Sequence, residues 1–343
     1  MPVLQPLALI AATSAFAALP LGPALQEMRR TRDAAALPIR RDDDNIRNFA
    51  STFRAYSRVH LERAAQQPTF ADCAALIFHK GEFLEFQNAD SETVRGVVLC
   101  RGDIDLGQNA AFSDDLYCAG TLIGGARNVY RSILGEEDVC LGESSHVSRW
   151  LHAAGSISLG TGCKLHGRAS AEFIIYLRPG CTFRRMHAPL IAAVRQELER
   201  KPSRHTAMAS REVPGVSRFP SRLDGYFYLP AGSRHEGSVI ARGKAFLGAA
   251  SHLAGNLKSH HDVRLSEQVE VEGSVVSTHS IYLGEDSFVR GPVISEQTVF
   301  VAAGAQVGSP ECLTTISAPR ITIAPGAVIH GTVWARESGE VGG

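Results

Sequence analysis

Hydrophobic residues between positions 227 and 301 recur every 18 residues. Each unit opens with two apolar residues separated by one position, and five successive units keep this register without a slip. The pairs are Phe227/Leu229, Ala245/Leu247, Val263/Leu265, Ile281/Leu283 and Val299/Val301. Alternation over two residues places both side chains on one face of a β-strand, and a helical period cannot generate this pattern.

Two further pairs complete each unit, at offsets 6 and 8 and at offsets 12 and 14 from its first apolar residue. They are Ser251/Leu253, Val269/Val271, Ser287/Val289 and Ala305/Val307, then Leu257/Ser259, Val275/Ser277 and Val293/Ser295. Each unit therefore predicts three short strands, which form one coil of an all-β, triangular, single-stranded β-helix with coils about 4.8 Å apart. Glycine at offset 10 (237, 255, 273 and 291) is expected to supply a corner with positive φ.

A rougher copy of the register occupies the first half of the chain. The matching pairs are Ile104/Leu106, Val139/Leu141, Ile157/Leu159 and Ile175/Leu177. The coil near 121–134 fits only if it is one residue short, and a final coil is predicted at 321–335. Between the arrays, 188–225 breaks the pattern, and Leu190, Val194 and Leu198 indicate a short helix. One interrupted β-helix and two stacked β-helices both remain compatible with this spacing.

The N-terminal segment predicts a membrane anchor. Residues 3–25 contain no charged side chain, and about 20 such residues suffice to cross a bilayer. The arginines lie after this run, which favours a single span with the C-terminal bulk in the cytoplasm. A signal peptide ending at 15–17 lacks a basic start, and an interfacial hairpin is the other alternative because of the three prolines.

A helix is predicted beyond this anchor. Ile46, Phe49, Phe53 and Tyr56 are spaced as one helical face, which Asp43 or Asp44 could cap. We expect this helix to pack on the following domain. In chain order, the predicted organisation is an anchor (1–26), a juxtamembrane linker (27–70), a first β-helix array (71–189), a helical or irregular insertion (190–224), a second array (225–335) and a tail (336–343).

Composition narrows the partners and the chemistry. Lys plus Arg and Asp plus Glu both number 35, so no overall field draws the chain to nucleic acid. The seven cysteines form no CxxC pair, and an odd count disfavours a disulfide framework. Cys163 and Cys181 fall in the inward column at offset 6, where we expect them to be small core residues.

Segments such as VEVEGSVVSTHSIYLGEDSFVRGPVIS and ITIAPGAVIHGTVWA resemble the bactofilins, bacterial polymer-forming cytoskeletal proteins. The resemblance is convincing over 227–335, weaker over 100–189, and does not extend to 1–70. It implies a right-handed β-helix that polymerises end to end without nucleotide and scaffolds envelope or cell-shape machinery at the inner (cytoplasmic) membrane. The second array and the interruption depart from the family pattern and could cap one end. Only nine residues follow Trp334, so the C-terminal coil is expected to be open.

The same spacing also suits a left-handed hexapeptide-type enzyme, an acyltransferase or a carbonic anhydrase-like protein. That repeat requires an aliphatic residue at offset 14, where this chain has Ser259, Ser277 and Ser295. His261 and His279 lie one coil apart beside His260, but Gln297 follows in their column, which favours stacked surface histidines over a zinc site. We therefore expect no enzyme and no catalytic, cofactor or metal residues. A membrane-tethered adaptor that does not polymerise is the third class.

Overall fold

The computed structural model describes residues 48–86, 93–194 and 220–342, all within one compact unit, residues 46–343. Among these residues, no helix has the length and apolar character needed to cross a bilayer. The predicted anchor at 3–25 lies outside the described residues, as do Ile46 and the proposed capping residues. The described part is mostly β-strand, and it forms a β-solenoid of about 12 turns with one helix.

Helix α1 spans Asn48–Ala65 and packs on the first array, as predicted. The Phe49 ring stacks on Trp150 with centroids 5.6 Å apart, and Phe53 meets Tyr117 edge-on at 6.4 Å. Arg54 Nε donates to both carboxylate oxygens of Glu136, at 2.6 and 2.9 Å. Apolar and ionic contacts together hold the helix against an outward face of the solenoid.

Fifteen strands of the first array lie in the described residues 48–86 and 93–194. They are β1 (Ala75–His79), β2 (Glu82–Glu85), β3 (Thr93–Val94), β4 (Val97–Cys100), β5 (Ile104–Asp105), β6 (Ala111–Cys118), β7 (Leu122–Gly124), β8 (Val129–Gly135), β9 (Val139–Leu141), β10 (His146–Ala153), β11 (Ile157–Leu159), β12 (Lys164–Leu165), β13 (Arg168–Ala171), β14 (Ile174–Leu177) and β15 (Thr182–Ala193). From β3 onward they form three parallel ladders. Leu122 pairs with Val139, so the short coil predicted near 121–134 is confirmed at 17 residues.

The second array contains the remaining strands. They are β16 (Ser221–Leu223), β17 (Phe227–Leu229), β18 (Arg234–Glu236), β19 (Val239–Ala241), β20 (Ala245–Leu247), β21 (His252–Ala254), β22 (Leu257–Ser259), β23 (Val263–Leu265), β24 (Glu270–Val271), β25 (Val275–Ser277), β26 (Ile281–Leu283), β27 (Phe288–Val289), β28 (Val293–Ser295), β29 (Thr298–Val301), β30 (Gln306–Val307), β31 (Thr314–Ile323) and β32 (Val328–Val341). Parallel pairing of Ala245 with Val263, and of Val263 with Ile281, confirms the 18-residue register.

The two arrays join through their last coils. Strands β15 and β32 pair antiparallel on all three sides of the solenoid, from Thr182 opposite Glu340 to Ala192 opposite Val328. The C-terminal coil is therefore covered, and the expectation that it is open is wrong. The residues after Trp334 continue β32. Their outer edge is not free, because Gly339 and Glu340 pair with Phe183 and Thr182 in the last coil of the first array.

The interruption between the arrays is also shorter than expected. Leu190 belongs to β15 and pairs with Ile174. The prediction of a helix is therefore wrong at Leu190, which lies in a strand. Val194 follows the strand, and Leu198 lies outside the described residues. The extended backbone of β15 completes the ladders that β32 then joins.

The core is one continuous cluster that runs through both arrays. The offset columns predicted to point inward are buried, including the serines at offsets 6 and 14. Cys163 and Cys181 are 0% and 1% exposed, which confirms that they are core residues. Both arrays thus use the inward pairs read from the sequence.

The glycines at offset 10 serve a different purpose from the one predicted. Only Gly237 has positive φ, whereas the left-handed corner lies at offset 5, where Gln268 and Asp286 have φ of 56° and 53°. A Cβ added to Gly291 would lie 2.7 Å from the carbonyl carbon and oxygen of Gly273. Gly255, Gly273 and Gly291 are therefore required by the close approach of successive coils, not by backbone conformation.

Candidate assembly end

The first coil of the second array lies at one end of the stack, and within the described residues no other coil pairs with its outer edge. Strands β16, β17 and β18 each pair with the following coil, and within the described residues none has a partner on its other edge. Unpaired strand edges carry free backbone donors and acceptors that can template pairing with another chain. This coil is the candidate assembly end.

The hydrogen-bond pattern identifies the free backbone groups. Ser221 N donates to Ser238 O at 2.8 Å, and Phe227 N donates to Lys244 O at 2.9 Å, both toward the stack. Successive residues of a parallel strand alternate the side to which their backbone groups point. The N–H and C=O groups of Arg222 and Tyr228 therefore point away from the stack.

Exposed side chains surround this end. Tyr226 and Tyr228 are 76% and 55% exposed, and Leu223 is also exposed. A shallow groove runs beside them, and its lining is Arg222, Leu223, Asp224, Ile240, Arg242, Lys258 and His260. Asp224 Oδ1 lies 3.3 Å from Arg242 Nη1, and it is the one carboxylate in this basic lining.

The outer end of the first array is built differently. Strand β1 pairs antiparallel with β4 and with β2, so a hairpin extends one of the three ladders. Phe86 packs over the core against Phe112, whose ring stacks on the buried Tyr130 with centroids 5.2 Å apart. Two aromatic layers and a hairpin thus close much of this end, whereas in the described part of the chain nothing pairs with the outer edges of β16, β17 and β18.

The junction of β15 with β32 illustrates how coil edges of this chain meet. The Arg185 guanidinium lies 5.2 Å from the Trp334 ring centroid, and His187 Nδ1 is 3.0 Å from Thr332 Oγ1. His330 Nδ1 donates to Pro189 O at 2.9 Å, and burial lowers the pKa of His330. Neutral His330 therefore serves as a structural donor across the junction.

The histidines considered as metal ligands lie at a corner of the second array. His261 and His279 stack with ring centroids 4.8 Å apart, as predicted, while His260 lines the groove. Within the three described ranges, no three His, Cys, Asp or Glu side chains converge as a metal site would require. This corner offers a pair of stacked rings.

The serines at offset 14 shape the same corner. The hydroxyl of Ser259 donates to Gly243 O at 2.7 Å, and that of Ser277 donates to His261 O at 2.6 Å. Each hydroxyl also accepts a hydrogen bond from the backbone N–H two residues later: His261 N donates to Ser259 Oγ at 3.0 Å, and His279 N donates to Ser277 Oγ at 2.9 Å. The serines are buried and satisfied, and they tie one coil to the next.

The buried cysteines also have structural partners. The Cys163 and Cys181 thiols donate to Gly142 O and Gly160 O, each at 3.2 Å. The hydrogen bond with Cys181, together with burial, raises the pKa of Cys163 and keeps it an uncharged thiol at neutral pH. Cys163 therefore has the environment of an inert core cysteine, whereas the hydrogen bond with Cys163 lowers the pKa of Cys181.

Sequence reasoning missed a column of outward residues. The middle residue of each opening strand points to solvent, and in the second array these residues are Tyr228, Phe246, Arg264, Tyr282 and Phe300. We call them the outward ladder. Its signal is an aromatic residue at offset 1 in four of five coils, between the inward residues that fixed the register.

Comparison with known proteins identifies no relative of this chain. No family model, no curated protein and no solved structure matches this chain.

Proposed function

We propose that this chain is a membrane-anchored, bactofilin-like scaffold that assembles through its β-helix ends without nucleotide. In this proposal, residues 3–25 span the inner (cytoplasmic) membrane once and the right-handed, triangular β-helix faces the cytoplasm. The assembled chains organise envelope or cell-shape proteins. The observation that carries the proposal is the candidate assembly end, with three unpaired strand edges around a solenoid core.

Physical reasoning favours a second copy of this chain at that end. A strand edge is complemented by another edge of similar shape, and the internal junction offers an example in which two coil edges pair antiparallel on three sides. The C-terminal edges are used within the chain. We therefore place the first intermolecular contact between the second arrays of two chains. Further growth would use the outer ends of their first arrays, where the hairpin covers β4 but, within the described residues, β3 and β5 have no partner on their outer edges.

The scaffold is preferred to a hexapeptide-type enzyme because the distinctive polar residues act within the fold. The offset-14 serines satisfy backbone groups between coils, and His261 and His279 stack on each other. The membrane-tethered adaptor remains the second candidate, because the basic groove and the outward ladder could bind a different protein. Self-assembly is the property that separates these two functions.

The test compares two double variants of the full chain in detergent. Arg222→Pro with Tyr228→Pro removes the N–H donors of β16 and β17 that point away from the stack, and it leaves the described hydrogen bonds to the next coil in place. Arg222→Ala with Tyr228→Ala removes the same side chains but retains the donors. Light scattering and negative-stain microscopy without nucleotide report mass and particle length.

We expect elongated oligomers for the native chain and the alanine variant. For the proline variant we expect the dissociation constant of the end-to-end contact to rise at least tenfold, which corresponds to a loss of about 1.4 kcal/mol of binding free energy. A native chain that stays monomeric at tens of micromolar would refute the proposed scaffold function and favour the adaptor. Equal assembly of both variants would place the contact elsewhere.

The membrane part of the proposal has a separate test. A fluorescent fusion of the full chain should give extended or clustered structures at the inner membrane, and deletion of residues 3–25 should release it. Uniform membrane staining would favour the adaptor, and release of the native fusion into the medium would favour a cleaved signal peptide.

A further inference from the structure

The outward ladder is a regular ridge along one side of the second array. Tyr228 stacks on Phe246 with centroids 5.7 Å apart and planes 6° apart, and Tyr282 stacks on Phe300 at 4.9 Å and 4°. Between the two pairs, the Arg264 guanidinium lies 5.0 Å from the Tyr282 centroid. Tyr228, Phe246 and Tyr282 are 55%, 37% and 37% exposed, so solvent reaches the ridge along most of its length.

The geometry of the ladder restricts what can bind there. Coplanar rings side by side would need centroids roughly 6 Å apart or more, given carbon contacts of about 3.5 Å. At 4.9 Å, Tyr282 and Phe300 must lie face to face, so they present ring edges to solvent. A nucleobase stacks on an exposed ring face, and the faces by which Tyr282 and Phe300 meet are already covered by each other. The ladder therefore suits a partner that packs against a narrow ridge.

A lane of small residues runs beside the ridge. These are the residues at offset 3: Gly248, Ser266, Gly284 and Ala302. The lane is bordered by the residues at offset 4: Ala249, Glu267, Glu285 and Ala303. Each coil from 245 to 301 thus carries a ridge residue, a small residue and a border residue in the same order, which is the shape a facing ridge can enter.

We propose that a second copy of this chain docks side by side on the outward ladder, about a two-fold axis parallel to the stack. Such an axis places the ridge of each copy in the lane of the other and keeps equal coils level. Ridge residues then face border residues of the second copy in four pairs: Phe246 with Ala249, Arg264 with Glu267, Tyr282 with Glu285, and Phe300 with Ala303.

These pairs are complementary in size and charge. The two phenyl rings face alanines, while the cation and the phenol face carboxylates. Across 220–342, Arg264, Glu267 and Glu285 form no ion pair within the chain, so their charges are available to a partner. An opposite charge at these positions selects partner and register more than it adds affinity.

The repeat distance also selects a second solenoid. A partner that meets every ridge residue must repeat at the coil spacing of about 4.8 Å, which is the spacing of stacked β-strands. Identical stacked strands that interdigitate their side chains form the tight interfaces of steric zippers. A second copy supplies this repeat together with the matching border charges.

The fold itself does not demand the ladder. The same outward column in the first array holds Asp105, Ile123, Cys140, Ser158 and Tyr176, with no stacked ring pair between neighbouring coils. Four steps of about 4.8 Å give a ridge of about 19 Å, so the contact between two single chains is small. It strengthens by avidity where chains are joined end to end.

Cross-linking of the full chain tests the contact. Arg264→Lys retains the charge and places an amine where a carbodiimide can join it to Glu267 without a spacer. Chains labelled with ¹⁴N and ¹⁵N are mixed at about 100 μM, which captures a weak contact. We expect a cross-linked peptide of mixed isotope composition between positions 264 and 267, and its loss when Glu267→Gln is added. Cross-links of unmixed composition alone would overturn the proposal.

Charge reversal supplies a second measurement, by sedimentation at the same concentration. Arg264→Glu and Glu267→Arg should each raise the dissociation constant of the side-by-side dimer about tenfold or more, since like charges then face each other. The double reversal should restore it to within about threefold. Single reversals without effect, or a double variant as weak as the singles, would overturn the contact. The proline variant at the assembly end should still give the mixed cross-link between positions 264 and 267. The side-by-side contact and the end-to-end assembly can therefore be confirmed or refuted independently of each other.

Discussion

The two arrays share an inward pattern but differ in what covers their outward faces. In the first array, α1 lies over Tyr117 and Leu134, which point outward and are nevertheless buried. In the second array, Tyr228, Phe246 and Tyr282 of the outward ladder are exposed, and the rings of the ladder stack on one another and on Arg264. Inward columns therefore determine the solenoid, while outward columns are free to bind another part of the chain or another molecule.

The largest expected effect comes from the shared core. Leu159→Ala in the first array and Leu265→Ala in the second each remove a buried side chain from the same inward column, and each should lower the free energy of unfolding by about 2–5 kcal/mol. Urea unfolding measures the loss. Because β15 and β32 join the arrays on three sides, we expect one transition for both variants.

Two separated transitions, each shifted by only one of the variants, would contradict that expectation. Nearest-neighbour coupling is the rule in solenoids, and a weak interface lets the flanking parts unfold independently. Such a result would show that the tail-to-tail junction is weaker than the coil contacts within each array. The comparison would then become one between two separate folding units.

A smaller effect is expected at the stacked glycines. Gly291→Ala brings a methyl group within 2.7 Å of the Gly273 backbone, and it should cost about 1–3 kcal/mol through overpacking. Gly225→Ala is the matched control at the open end of the same array, where an added Cβ meets nothing within 4 Å. It should change stability by about 0.5 kcal/mol or less. Equal losses for both, by thermal unfolding, would refute close coil approach as the cause.

The inward columns were predictable because burial forces alternation onto each strand. The apolar character and the spacing of Ile281 and Leu283 predict that both side chains point into the core. The same pattern also located the 17-residue coil. The tail-to-tail junction was not predictable. It pairs residues about 150 positions apart through backbone edges, and no side-chain pattern in β32 specifies which strand will lie beside it.

The candidate sites were harder to predict than the fold. An outward position accepts almost any residue, so Tyr282 between Ile281 and Leu283 looked free to vary, although its ring stacks on Phe300. The glycine column was found, but its cause was misassigned, because a positive φ and a close approach both select glycine. Only the three-dimensional stack distinguishes these causes.

The ionic contact of α1 should depend on pH. Burial raises the pKa of Glu136, but the hydrogen bond and charge of Arg54 outweigh it, so the pKa lies below the ordinary value of 4.5. A lowered folded-state pKa stabilises the fold above the unfolded value, and this stability is lost as pH falls through the folded pKa. Stability measured below pH 4.5 should therefore decline, and Glu136→Gln should flatten that decline.

The exposed pair in the second array is the control for this contact. Lys244 Nζ lies 3.2 Å from Asp262 Oδ2, and both side chains are largely in solvent. At neutral pH, Arg54→Ala should cost on the order of 1 kcal/mol, whereas Lys244→Ala should cost a few tenths. If the two losses are equal, burial beneath α1 does not strengthen the ion pair. The two arrays would then differ in the packing on their outward faces but not in the strength of their ion pairs.

The smallest expected effect concerns the ladder itself. A double-mutant cycle with Tyr282→Ala and Phe300→Ala, measured on the monomer at low concentration, should give a coupling of about 0.5–1 kcal/mol, because stacked aromatic neighbours interact beyond their buried area. The equivalent cycle at Ser158 and Tyr176, which occupy the same column of the first array, should give a coupling near zero. A coupling well above 1 kcal/mol would make the ladder mainly a device for stability, and its exposure would then need no partner. A modest coupling would leave the exposed ring edges unexplained by the fold alone, and it would favour the proposed lateral contact with a second copy over a purely stabilising role.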